Sequence, residues 1–475
     1  MLLRYFYDSK LAQASYLVGC QATGEAIVID PMRNIDPYLD VADQEGLRIV
    51  AAAETHIHAD FVSGARELAD RVGATLYLSD EGDEDWKYQY LDSVPHVLVK
   101  DGDTIKIGNI QLEVMHTPGH TPEHISFILY DLPATKKPIG IFTGDFVFVG
   151  DVGRPDLLEE AAGIKGTSIP GAKKMFQSLK RFRELPDHVQ VWPAHGAGSA
   201  CGKALGAVPS STVGYEKITN WALQIDDEDA FVQALLADQP EPPKYFKHMK
   251  RINKEGPTLL RELKVVPRLY ASKDVVERWI GKGAQVVDIR PASKFETAHL
   301  AGTINIPLNN SFTNWAGWLV DYDRDLYLVA DQQNIEEAIT ALHSIGIDRI
   351  AGYIDLGFVN QFKDSRLELD SYESVEPEDV IGHLEDYHVV DVRNLSEWKS
   401  GHIEGAQHIM LGYLSDRIQE IPQDKPLLVH CELGGRSAIA VSILKQHGFK
   451  QVFNLAGGYD RFKKVAKKVD TPVHA

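Results

Sequence analysis

The first half of the chain is built from short apolar runs, each closed by polar residues. Ala26-Ile27-Val28-Ile29 and Ile49-Val50-Ala51-Ala52-Ala53 have the length and unbroken hydrophobicity of buried strands. Many of the later runs end in His or Asp, as Gln190-Val191-Trp192-Pro193-Ala194-His195 does. The spacing then predicts a helix over 214–237. Pro240, Pro242 and Pro243 break regular structure in a basic stretch from Gln239 to Lys254, which reads as a join after the first domain.

Beyond the join the pattern repeats. Val286-Val287-Asp288-Ile289-Arg290 resembles Val389-Val390-Asp391-Val392-Arg393, and His299-Leu300-Ala301-Gly302 resembles His402-Ile403-Glu404-Gly405, both 103 positions apart. Each copy alternates strand and helix patterns, which predicts two parallel-sheet α/β modules. The length of 475 residues fits about three domains at roughly 150 residues each. The expected division is 1–240, a linker 241–261, a middle module 262–366 and a last module 367–475.

Charge and cysteine content narrow the partners. The formal charge is −19 and there is no basic tract, which argues against nucleic acid or an anionic membrane. No window of about 18 apolar residues suggests a membrane span. Three cysteines, Cys20, Cys201 and Cys431, cannot form a disulfide framework. With no leader pattern at Met1–Asp30, the expectation is a reducing cytoplasm.

The strongest chemical signal is Thr55-His56-Ile57-His58-Ala59-Asp60-Phe61, followed by Thr117-Pro118-Gly119-His120, Thr143-Gly144-Asp145 and Pro193-Ala194-His195-Gly196. Imidazoles and carboxylates at strand ends can converge on one cation held by a rigid sheet. These strings in this order resemble the metallo-β-lactamase superfamily, in its glyoxalase-II-like branch, over about residues 1–230. The resemblance implies an αββα fold. The family's usual motif is His-x-His-x-Asp-His, and here the last position is Phe61, which cannot ligate and should cripple a second metal site. What remains is His56, His120 and Asp145, with His58 as a further candidate ligand. Two histidines and one carboxylate with open positions form the facial triad of non-haem Fe(II) oxygenases.

Persulfide dioxygenases within this superfamily look like this. The resemblance implies one Fe(II) per chain, with O₂ as co-substrate, oxidising a low-molecular-weight thiol persulfide to sulfite and thiol. His58, Asp60 and His195 would orient ligands or water, Arg154 is a weak candidate for a substrate anion, and Cys201 could bind or carry substrate sulfur. His116 and His124 flank the His120 cluster and read as half-exposed strand residues without a metal role.

The last copy runs Val429-His430-Cys431-Glu432-Leu433-Gly434-Gly435-Arg436-Ser437. Loop N–H groups, a helix N-terminus and Arg436 would together favour a thiolate on Cys431. This resembles the rhodanese active-site loop and implies sulfurtransferase chemistry at Cys431 with Arg436. The middle copy has Ala330-Asp331 for His430-Cys431 and Glu336-Glu337 for Arg436-Ser437, so it is expected to be a catalytically inactive rhodanese fold. The assembled expectation is a persulfide dioxygenase–rhodanese fusion in which Cys431 passes sulfane sulfur to sulfite, giving thiosulfate. It is expected to be a homo-oligomer, as enzymes of this class often are. Two alternatives stand beside it: a zinc thioester hydrolase of the glyoxalase II type with an attached sulfurtransferase, and a non-enzymatic sulfur relay or sensor.

Overall fold

The computed structural model describes all residues except 158, 160–165, 204, 271–272, 356–368 and 470–475. It divides into two compact units, Met1–Lys264 with Leu342–Gly346, and Val265–Ala341 with Ile347–Ala475.

The first unit holds two six-stranded sheets. Strands Leu2–Asp8, Gln13–Cys20, Glu25–Ile29, Arg48–Ala53, Thr75–Ser79 and His96–Val99 lie in that order in one. In the other, Ser211–Thr212, Gln190–Pro193, Gly140–Gly144, Ile125–Asp131, Ile110–His116 and Thr104–Ile107 are neighbours in turn. Alternation along the strands sorts side chains into three apolar layers. Ile27, Ile29, Ala51 and Ala53 pack with Val114, Phe127 and Phe142 between the sheets. Ala26, Val28, Ile49 and Ala52 face the opposite way, onto the helices Asp36–Gln44 and Ala65–Val72. Ile128 and Ile141 face the helix Ser168–Glu184. Helix, sheet, sheet, helix is the expected αββα order.

The helix expected over 214–237 is broken. Val213–Thr219 and Glu228–Leu236 are separate helices with a 3₁₀ turn, Trp221–Gln224, between them. Asn220 accepts from Ala222 N–H and Asp227 from Ala230 N–H, so each polar residue starts a new segment instead of continuing the old one. The stretch 241–261, expected as a join, contains the helix Phe246–Glu255, and the first unit runs on to Lys264.

The second unit holds two parallel five-stranded sheets of identical order. One runs Arg268–Leu269, Ile350–Asp355, Leu326–Ala330, Gln285–Asp288, Ile304–Asn305. The other runs Glu373–Val375, Val452–Leu455, Leu427–His430, His388–Asp391, Gln407–His408. The repeat is therefore a repeat of fold. Its signature residues are structural clamps. Arg290 folds back on Asp288 and donates to Ala298 O, as Arg393 does on Asp391 and Gly401 O. His299 stacks on Phe295 at 3.8 Å, as His402 does on Trp398 at 3.6 Å. The expected boundary between the copies at 366/367 lies outside the described residues. Among the described residues no helix is long and apolar enough to cross a membrane.

Candidate metal centre and thiol site

Each candidate ligand sits just past a strand, where the chain leaves the sheet but is still held by it. His56 follows Arg48–Ala53, Asp145 follows Gly140–Gly144, and His120 lies between Ile110–His116 and Ile125–Asp131. The structure brings these three together, with one ligand atom from each lying within 4.8 Å of the others. His56 Nε2 and His120 Nε2 stand 4.0 and 3.5 Å from Asp145 Oδ2. All three residues are buried.

The surrounding hydrogen bonds set the tautomers. Thr55 Oγ1 donates to Asp30 and so accepts from His56 Nδ1 at 3.0 Å. His120 Nδ1 donates to Arg154 O at 3.0 Å. Both rings are left with a bare Nε2 facing Asp145, the form a metal binds. His56 Nε2 and both Asp145 oxygens are buried without a hydrogen bond. Buried polar atoms without partners are costly, and a cation satisfies all of them at once. The donor set therefore fits a metal ion. Burial and the neighbouring imidazoles hold His56 well below the usual histidine range, which keeps it neutral for ligation.

His58 lies against this group, its ring centroid 4.2 Å from that of His56. Its Nε2 bonds Asp30 Oδ1 at 3.1 Å. Burial pulls its pKa down, but Asp30, with Glu54 and Asp60 beyond, raises it to about 9. Its Nδ1 is buried without a hydrogen bond, so it stands as a further candidate donor beside the trio. Phe61 is buried beside it, with ring centroids 4.4 Å apart.

Asp60, His195 and Cys201 form a second buried cluster of donor atoms, again within 4.8 Å of one another. His195 Nε2 lies 3.0 Å from Asp60 Oδ2 and 3.3 Å from Asp145 Oδ1, while its Nδ1 donates to Ala12 O. Burial pushes the Cys201 thiol up to about 12. The sequence assigned these residues one by one, and the structure brings them together as a second group of donor atoms that could hold a cation.

Several supports escaped the sequence. Asp30, at φ +50°, holds both Thr55 and His58. His124 was expected to be half-exposed and is fully buried. Its Nδ1 pairs with Thr117 Oγ1, and its Nε2 accepts from Asp145 N–H. Asn253, inside the expected linker, donates to His58 O and Phe61 O and accepts from Ser63 N–H. The run of apolar strands ending in His or Asp was a signal for Asp30. For Asn253 there was none, because its contacts span about 190 residues of chain.

Arg154 is corrected. Its guanidinium is buried and donates to Asp156, Ala200 O and Pro240 O. All its nitrogens are engaged, so it latches the Cys201 loop in place of meeting a substrate anion. Beside the centre is a narrow, largely apolar pocket touching Asp60, His120, Cys201 and Trp86 and lined also by Lys247 and Lys250. Lys250 Nζ lies 3.5 Å over the Trp86 ring. Cys20 is buried at a strand end and accepts from Asn109 N–H, a structural position.

In the last copy, Leu427–His430 runs into Cys431, and the helix Gly435–Gln446 begins four residues after it. Gly434 takes φ +97°, which turns its N–H onto Cys431 Sγ at 3.1 Å. A side chain there would be strained. Ser437 Oγ stands 3.6 Å from the same sulfur. Arg436 is held by Glu397 through two 2.6 Å bonds, and Glu432 by Arg393 and Lys463. Arg436 thus shares its charge between Glu397 and the Cys431 thiol, which it also meets, and the Gly434 N–H and the helix end face the same sulfur. In the middle copy Asp331 occupies the matching place after Leu326–Ala330, 3.6 Å from Lys294.

The metallo-beta-lactamase superfamily matches residues 9–195, and the rhodanese-like domain matches residues 376–465. A crystal structure of a metallo-beta-lactamase from Staphylococcus aureus subsp. aureus COL is 46% identical with a TM-score of 0.67, covering 74% of this chain and 98% of that one. A mitochondrial persulfide dioxygenase of Bos taurus is 29% identical over 200 residues, 41% of this chain and 68% of its own. A hydroxyacylglutathione hydrolase of Crocosphaera subtropica is 32% identical over 173 residues, 36% of this chain and 59% of its own.

Proposed function

Because the chain belongs to the metallo-β-lactamase superfamily and carries a rhodanese-like domain at its C-terminal end, we propose that it is a two-centre sulfur enzyme. The first centre oxidises a low-molecular-weight thiol persulfide, and Cys431 transfers a second sulfane sulfur. The balanced reactions are RSSH + O₂ + H₂O → RSH + SO₃²⁻ + 2H⁺, then RSSH + SO₃²⁻ → RSH + S₂O₃²⁻. The carrying observation is the buried trio of His56, His120 and Asp145 with two bare Nε2 atoms, in a site where Phe61 replaces a further imidazole. The relationship to a persulfide dioxygenase supports the same reading.

His56, His120 and Asp145 would hold Fe(II), which supplies the redox chemistry and the open positions for O₂ and sulfur. Thr55, Asp30, His124 and the Arg154 carbonyl keep those ligands oriented. The apolar pocket would exclude water from the reacting sulfur, and Lys247 and Lys250 in its lining would attract an anionic substrate. Cys201 lies against the pocket as a neutral thiol beside the place where substrate sulfur would sit. His195 Nε2, 3.0 Å from Asp60, would give a proton to the departing thiolate. At Cys431 the thiolate attacks the outer sulfur of a persulfide. The S–S bond breaks, RS⁻ leaves and takes up a proton, and a sulfite lone pair then removes the sulfur from Cys431 as thiosulfate.

A second reading, a two-zinc thioester hydrolase, has one observation behind it, the convergence of Asp60, His195 and Cys201. The relationship to a hydroxyacylglutathione hydrolase points the same way. Oxygen uptake decides between them. Protein loaded anaerobically with Fe(II) should consume O₂ on adding glutathione persulfide and release sulfite. Thioester hydrolysis without oxygen uptake would overturn the dioxygenase reading.

A further inference from the structure

The middle copy has lost its thiol yet keeps its whole sheet, which calls for a role other than transfer. The helix that follows Cys431 is where the middle copy meets the last one. Every residue from Ser437 to Leu444 is buried. A helix buried all round needs a partner on each side. Strands Leu427–His430 and Val452–Leu455 of its own sheet cover one side. Strand Ile304–Asn305 of the middle copy covers another, with Asn305 N–H donating to Ser442 Oγ at 2.9 Å. Gln446 Nε2 donates to Gly302 O, and the Trp318 ring meets Tyr413 edge-on at 5.4 Å.

This packing leaves a cleft of about 450 Å³ over the thiol. Cys431, Glu432 and Arg436 form one side, and Leu308, Asn309, Ser311 and Trp315 of the middle copy form the other. The volume falls in the roughly 300–1,000 Å³ range of small-molecule sites, far more than a small sulfur oxyanion fills. None of the middle-copy residues lining the cleft is ionisable. The charges on the Cys431 side are already paired, Arg436 with Glu397 and Glu432 with Arg393 and Lys463. Leu433, 72% exposed at the loop tip, also lines the cleft and would be covered by an apolar guest. Trp315 and Leu308 offer apolar surface, and the Asn309 amide and Ser311 hydroxyl offer uncharged hydrogen-bonding groups.

We propose that the middle copy is the substrate-binding wall of the Cys431 cleft, and that it holds the uncharged organic arm of a thiol persulfide whose outer sulfur Cys431 takes. This rests on the reading of Cys431 as the transfer residue. Trp315, Leu308 and Ser311 are positioning and specificity residues, since none of them meets the reacting sulfur. An inorganic donor such as thiosulfate has no arm to bind there and reaches the thiol without the wall.

The test compares two donors, N-acetylcysteamine persulfide and thiosulfate, with cyanide as acceptor, anaerobically and in the full chain. Both reactions give thiocyanate and neither uses the metal centre. Background is set by Cys431→Ser. Trp315→Ala should raise the KM for the organic persulfide roughly tenfold or more while leaving thiosulfate kinetics within about twofold. Ser311→Trp, at an exposed position, should block the organic donor and still admit thiosulfate. It keeps the test intact if Trp315→Ala fails to fold. Equal loss with both donors, or no change with either, overturns the proposal. A wild-type chain inert with both donors overturns sulfur transfer at Cys431, and this inference with it.

Discussion

The backbone N–H of Asp145 donates to Nε2 of His124 at 3.1 Å. The proposed carboxylate ligand is therefore oriented by a histidine that does not itself ligate, and whose Nδ1 is pinned in turn by Thr117. Replacing His124 by Ala should weaken metal affinity about ten- to a hundredfold, the usual effect of losing such a support. His124→Gln, which can still accept from Asp145 N–H, should lose less. Anaerobic Fe(II) titration of the two variants measures the difference. Equal affinity in His124→Ala and wild type would show that Asp145 needs no such support.

Metal stoichiometry separates the two functional readings. Anaerobic loading should give about one iron per chain and little zinc, as expected for two histidines and one carboxylate. Asp145→Ala should lose both the iron and oxygen uptake. Two tightly bound zincs per chain, with one lost in Cys201→Ala, would sink the iron reading and place the second ion at Asp60, His195 and Cys201.

The strands and the ligands at their ends were legible because both are local. A run of four or five apolar residues followed by His or Asp announces a strand end and a donor together. The repeat was legible for the same reason, since Asp288 with Arg290 and Asp391 with Arg393 close on themselves within three residues. What was hidden depends on distant chain. Burial of His124 follows from sheet packing, and Asn253 reaches the His56–Ser63 loop only after folding. The sharing of the Cys431 cleft by two copies follows from how the second unit packs, which no local pattern encodes.

Cys431→Ser should separate the two centres. Oxygen uptake with persulfide should persist, because the proposed metal ligands lie in the other unit. Thiosulfate should fall and sulfite accumulate, because a serine hydroxyl cannot carry sulfane sulfur. Product analysis by ion chromatography follows both. Wild-type thiosulfate output from the variant would remove Cys431 from the mechanism.

The Asp391–Arg393 clamp should matter for stability. Both side chains are buried, and Arg393 also ties Glu432 of the Cys431 loop. Asp391→Ala leaves a guanidinium buried without its main partner, a change that costs about 3–5 kcal/mol when a buried pair is broken. Urea unfolding of the variant should show the second unit melting early. A midpoint equal to wild type would mean that Glu432 and Gly401 O suffice for Arg393.

Restoring a thiol to the middle copy should not restore transfer. In the last copy Gly434 at φ +97° points its N–H at Cys431 Sγ. At the matching place the middle copy has Gln332–Asn334 in a 3₁₀ turn, with Asn334 N–H spent on Asp331 O. Glu336 and Glu337 stand in the first turn of the following helix, where the last copy has Arg436 and Ser437. Two carboxylates there would hold a thiol protonated and repel an incoming sulfite dianion. Asp331→Cys in the Cys431→Ser background should therefore form almost no thiosulfate from persulfide and sulfite. Adding Glu336→Arg and Glu337→Ser should recover part of it, limited by the missing glycine turn. Substantial transfer by Asp331→Cys alone would show that neither the reversed charge nor the absent loop amide is what silenced this copy.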